Sequence, residues 1–149
     1  GGYLVLATGL MDNSLFNIDE KYKVHNIISL YPVVDIETIN EDSKKVGIKV
    51  SDDPNEDIFS IFIGKAINDE DKRKESNPIN HLRNNSPRIL LQRGDKDVLV
   101  PYLQADRLYK AALDKETYIE YELVKDKVHT DPYFYTEDNV ERIIKFIEG

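Results

Sequence analysis

A chain of 149 residues, 40% hydrophobic and 32% charged, can bury one core and has the composition of a single globular domain. Its net charge of −8 lacks the basic face that phosphate neutralisation needs, which argues against a nucleic-acid partner. With no cysteine it has neither a disulfide framework nor a thiolate metal site, and no run approaches the roughly 18 apolar residues of a membrane span. The reading carries no cofactor and no metal, and places the protein in the cytoplasm.

Gly1 to Thr8 reads as a short helix, apolar nearly all round and therefore buried, that Gly9 could end. Its two leading glycines permit close approach to neighbouring backbone. Asp12 to Lys23 is polar and loop-like. His25 to Val34 predicts a buried strand running into Pro32. Glu37 to Asp57 is acidic with little periodicity. Ile58, Ile61 and Phe62 fall at helical spacing behind the start signals Asp52, Asp53 and Pro54, predicting a helix from about Asn55 to Lys65. A second charged helix follows over Asn68 to Lys74, then a turn at Asn77-Pro78.

Arg88 to Gln92 predicts a second buried strand, ended by Gly94-Asp95. Pro101 to Leu113 reads as a helix with proline near its start. Thr117 to Val124 alternates Ile119, Tyr121 and Leu123 against Tyr118, Glu120 and Glu122, a strand with one wetter face. Thr136 caps a final helix whose apolar stripe is Val140, Ile143, Ile144 and Ile147. Alternating strands and helices imply an α/β fold, with a parallel sheet covered on both faces.

Two polar sites follow strand ends. Asp97 lies in Gly94-Asp95-Lys96-Asp97-Val98-Leu99-Val100-Pro101, and His129 in Lys127-Val128-His129-Thr130-Asp131-Pro132. Ligands of open α/β sheets bind beyond the carboxyl ends of the strands, where both residues would meet. A carboxylate and an imidazole so placed suit two parts of a charge-stabilised general base, the imidazole taking a hydroxyl proton and the carboxylate fixing its tautomer.

The Asp97 segment resembles the acid-bearing segment of α/β-hydrolase esterases and of prolyl-oligopeptidase-type peptidases, and this resemblance makes Asp97, not Asp95, the triad acid. The stretch from His129 through Val140 is similar to the histidine segment of the lipase/esterase branch. Tyr31-Pro32-Val33-Val34-Asp35 matches that branch too, and Phe62-Ile63-Gly64 with Asn77-Pro78-Ile79 resembles the segment before the acid. Gly1-Gly2-Tyr3 matches the tail of the G-x-S-x-G-G-Y nucleophile elbow, which implies a serine two residues before Gly1. The order nucleophile, acid, histidine is that of α/β-hydrolases.

The resemblance therefore implies that residues 1–149 are the C-terminal half of an α/β-hydrolase domain, with parallel strands flanked by helices and a small helical cap insertion at about 37–85. It implies a carboxylic ester hydrolase acting on a small-molecule ester, with Asp97 and His129 as catalytic residues. The 149 residues alone would show no triad-dependent hydrolysis, since the oxyanion hole also lies on other segments. A prolyl-oligopeptidase-type peptidase and a non-catalytic relative used for binding are the alternatives. The strand at His25 to Val34 would pair with the one before the nucleophile, so the N-terminal half of the same protein, or a second chain, is expected to cover its edge.

The chain departs from the family pattern in three places. Arg93 stands where histidine usually precedes the Gly-Asp pair. Thr130 replaces the glycine that often follows the histidine, and Lys125, Asp126, Lys127 and Val128 replace glycines before it. Elsewhere plainer readings hold. His25, His81 and Asp95 read as structural or solvated, and Asp35 as a strand-end carboxylate that could line the site mouth. The acidic run Asp52, Asp53, Glu56 and Asp57 does not match a calcium loop and reads as a solvated helix start. Ile58 to Ile63 suits a lid or ordinary core, and Tyr133-Phe134-Tyr135 packing beneath the final helix.

Overall fold

The computed structural model describes residues 1–12, 19–51, 53, 58–64 and 68–149. Asp52, Glu56 and Asp57 of the acidic run, the start of the helix expected from Asn55, and the middle of the Asp12–Lys23 loop lie outside them. Helix α1 spans Gly2–Leu10, strand β1 Asn26–Leu30, α2 Ile39–Lys45, α3 Ile58–Ile63 and α4 Glu70–Ser76. Strand β2 spans Arg88–Gly94, α5 Tyr102–Asp114, β3 Ile119–Val124 and α6 Glu137–Glu148. Among the described residues the strands form one parallel sheet in the order β1-β2-β3, with Ile27 beside Ile89 beside Ile119.

Period-two alternation assigns the two faces. Ile27, Ile89, Leu91 and the partly covered Ile119 and Tyr121 join Leu6 and Leu10 of α1 with Ala105, Leu108 and Ala112 of α5 in the main core. Gly9 does not end α1, which runs on to Leu10. Its hydrogen instead faces Ile27, where a Cβ would sit 2.5 Å from the side chain. Nor is α1 buried all round: Leu4 and Val5 are 54% and 42% exposed. The helix is apolar on faces that the described core does not cover.

The opposite sheet face carries polar groups beside the fully buried Leu90. Gln92 exchanges two hydrogen bonds with Asn139 of α6, donating at 2.7 Å and accepting at 3.0 Å. Arg142 of α6 pairs with Glu120 and Glu122. The glutamates of β3 are therefore half-buried under α6, and the face expected to be wetter is covered. The same demand rotates α6. Asn139 and Phe146 are buried, whereas Val140, Ile144 and Ile147 of the expected apolar stripe are 44%, 46% and 49% exposed. A sheet face carrying an amide and two carboxylates selects the helix side with matching donors over its greasiest side.

Strand limits differ from expectation for local reasons. β1 ends at Leu30, because Tyr31 turns with φ 40°. β2 runs two residues further, to Gly94, paired with Val124. The acidic stretch after Glu37 contains α2, which a periodicity reading misses because its buried side includes Asp42 and Ser43. Asp42 is buried against Gln104 and Arg107 of α5 at 2.8 Å each. Helix α4 is capped by Asp69, whose carboxylate accepts the amides of Asp71 and Lys72. No described helix is long and apolar enough to cross a membrane.

Candidate active site

The site is built where β2 and β3 end. After Gly94 the chain turns sharply, and the carboxylate of Asp97 accepts the amides of Leu99 at 2.9 Å and Val100 at 3.0 Å through one oxygen. The other oxygen lies 2.8 Å from Nδ1 of His129. The Asp97 side chain is fully buried, and His129 retains 22% exposure. Burial opposes the charge on Asp97, yet the His129 hydrogen bond and the Val100 and Leu99 amides outweigh it and hold the carboxyl below its ordinary range. A buried, ionised acid thus holds the inner nitrogen of a partly open imidazole. With Nδ1 carrying the proton, Nε2 is left with a free lone pair.

A backbone clasp sets this distance. Gly94 lies so close to the loop before His129 that a Cβ there would come within 2.0 Å of the Lys127 carbonyl oxygen. That carbonyl accepts the amide of Lys96 at 2.9 Å, and the Val124 carbonyl accepts that of Asp95 at 3.0 Å. The glycine of the Gly94-Asp95 pair is needed because the acid and histidine loops touch there, backbone to backbone.

Asp126 and Thr130 flank His129 at φ 57° and 59°. These are left-handed positions that glycine would occupy without strain. Arg93 is buried and donates to the Val100 carbonyl at 3.2 Å, tying β2 to the acid loop. Burial pushes its guanidinium below its usual value, against the pull of Tyr121 and Asp97. Its Nη1 has no partner among the described residues.

The segment after β1 is held by side-chain amides. Gln104 accepts the amides of Val34 at 3.0 Å and Asp35 at 2.9 Å, and Asn77 accepts that of Ile36 at 2.6 Å. Asp35 pairs with Arg107 at 3.8 Å. His81 bonds the Glu75 carbonyl at 2.6 Å, and His25 is exposed just before β1. Phe134 is buried, whereas Tyr135 is exposed with its hydroxyl against that of Tyr31. Sequence reasoning assigned no role to Tyr31, whose ring lies against His129; a turn residue just past a strand end was the available signal. Ile61 and Phe62 of α3 are exposed, and the Phe62 ring meets Tyr3 edge-on at 5.5 Å.

A parallel sheet layered between helices, with an aspartate and a histidine meeting past successive strand ends, is the arrangement of an α/β-hydrolase fold. The BD-FAE family model matches residues 1–112, and the chain belongs to that family. No curated protein matches it.

Solved structures share the fold. A truncated carbohydrate esterase from gut microbiota is 21% identical at a TM-score of 0.67, covering 83% of this chain and 41% of its own. A bifunctional GH43-CE protein of Bacteroides eggerthii gives 16% and 0.72, over 98% of this chain and 20% of its own. Esterase B of Lactobacillus rhamnosis gives 15% and 0.69, over 99% of this chain and 48% of its own. The chain thus spans half or less of the length of each.

Proposed function

We propose that this chain supplies the acid and the base of a serine carboxylic ester hydrolase. The observation that carries the reading is the 2.8 Å bond between buried Asp97 and partly open His129 at the sheet's carboxyl end. In this reading a serine hydroxyl two residues ahead of Gly1 attacks the ester carbonyl. Nε2 of His129 takes the hydroxyl proton and then passes it to the departing alcohol, leaving an acyl-enzyme. Water, deprotonated by the same nitrogen, releases the acid. Asp97 stays ionised, orients the ring and stabilises the imidazolium. The oxyanion donors come from the amide after the nucleophile and from an earlier loop.

The names of the similar structures support an ester as the bond cut. The exposed apolar side chains of α3 suit a cap over the acyl group. The open edge of β1, with Leu4 and Val5 beside it, suits pairing with an N-terminal half or a second chain. The test is p-nitrophenyl acetate hydrolysis by the whole protein. Asp97→Asn and His129→Ala should each lower kcat by about 10³-fold or more while the fold persists. Undiminished turnover in either variant removes the assignment.

A further inference from the structure

Tyr31, where β1 ends, takes no part in the reaction scheme above, yet its position is tightly constrained. At φ 40° it holds a backbone conformation that is costly for any residue with a Cβ. Its amide donates to the Gln92 carbonyl at 2.7 Å, so the turn stays anchored to the sheet. From the other side Gly2 of α1 presses so close that a Cβ would stand 2.4 Å from the Leu30 carbonyl oxygen and 3.0 Å from Pro32. The turn is therefore confined between the sheet and the start of α1.

What this conformation delivers is a ring over the histidine. The Tyr31 centroid lies 4.6 Å from that of His129, tilted by 58°, and 5.1 Å from that of buried Phe134. Its hydroxyl meets that of Tyr135 at 2.5 Å. Tyr135 belongs to the short 3-10 turn, Pro132–Tyr135, that follows His129, so Tyr31 touches the histidine segment at both ends. Burial, then the Tyr135 hydrogen bond, pushes its phenol up to about 12.

One hydrogen bond at Nδ1 fixes a single point of an imidazole and leaves the ring plane free to swing about it. A second contact, from a ring packed at a tilt against the imidazole, restricts that swing. We propose that Tyr31 is a positioning residue: its ring braces the His129 imidazole in the plane set by Asp97, and the bond to Tyr135 keeps the brace in place. The catalytic half of this proposal rests on the hydrolase reading; the bracing half does not.

The experiment uses Tyr31→Leu, Tyr31→Phe and Tyr135→Phe in the whole protein, with two readouts. One is kcat and KM on p-nitrophenyl acetate. The other is the downfield proton resonance of His129 Nδ1 hydrogen-bonded to carboxylate. Tyr31→Leu should lower kcat by about 10²-fold with KM nearly unchanged, and broaden the resonance, as expected for a loosened base. Tyr31→Phe keeps the ring and should recover most of that loss. Tyr135→Phe should match it, and the double variant should add nothing further.

A sharp, unshifted Nδ1 resonance in Tyr31→Leu overturns the brace, whatever the activity. Phenylalanine as damaging as leucine overturns it too, by showing that the ring is not what matters. If Tyr31→Leu does not fold, the two phenylalanine variants decide: unequal effects, or additive ones, refute the coupled pair. Should the unmodified protein hydrolyse no ester, the hydrolase reading falls and the resonance alone judges the brace.

Discussion

Replacing Gly94 by alanine tests how the acid and histidine loops are held together. The added Cβ would lie 2.0 Å from the Lys127 carbonyl oxygen and 2.4 Å from its carbon, against a floor near 3.0 Å for real contacts. Both atoms are backbone, so no side chain can swing aside. The loop before His129 must retreat by about 1 Å, and it starts only two residues from the imidazole. That retreat competes directly with the 2.8 Å bond to Asp97 and with the Lys96 amide bond to the same carbonyl. A misplacement of about 1 Å in a catalytic group costs roughly 10²-fold in rate, and forced overpacking costs about 1–3 kcal/mol. Gly94→Ala should therefore lower kcat on p-nitrophenyl acetate by about 10²-fold and lower the melting temperature in differential scanning calorimetry. Turnover within twofold of the unmodified protein, with an unchanged melting temperature, would refute the backbone clasp.

Thr130→Gly relieves a β-branched residue at φ 59° and should stabilise the fold by about 0.5–1 kcal/mol; a fall in melting temperature would count against the strain. Asp42→Ala removes the buried carboxylate that ties α2 to α5 through Gln104 and Arg107, and should cost about 2 kcal/mol in urea unfolding, discounted because Arg107 is partly solvated. The folded chain holds both Asp42 and Asp97 below the ordinary carboxylate range. For Asp42 the bonds from Arg107 and Gln104 outweigh the opposing burial. A depressed folded value means that this stabilisation is complete above the unfolded value of about 3.9 and drains away as pH falls through the folded one. Melting temperature should drop below about pH 4, less steeply in Asp42→Asn; an equal slope in both proteins would contradict the assignment.

The alternation of elements, the cap at Thr136, the proline start of α5 and the placing of Asp97 and His129 past successive strands were all legible along the chain. These follow from short-range rules: apolar period, capping chemistry and turn residues act over a few positions and are written in the chain. What those rules could not supply was the partner each face would meet. Val140, Ile144 and Ile147 form the most apolar side of α6, yet Asn139 and Arg142 face inward because Gln92, Glu120 and Glu122, distant in the chain, line the sheet there. Periodicity does not reveal α2, because its buried side includes a carboxylate whose partners stand more than sixty residues away. Tyr31 and Gly94 gained their meaning only when the loops closed on them. Burial of a polar group is favourable only once its hydrogen-bond partner is present, and that partner is supplied by the tertiary fold.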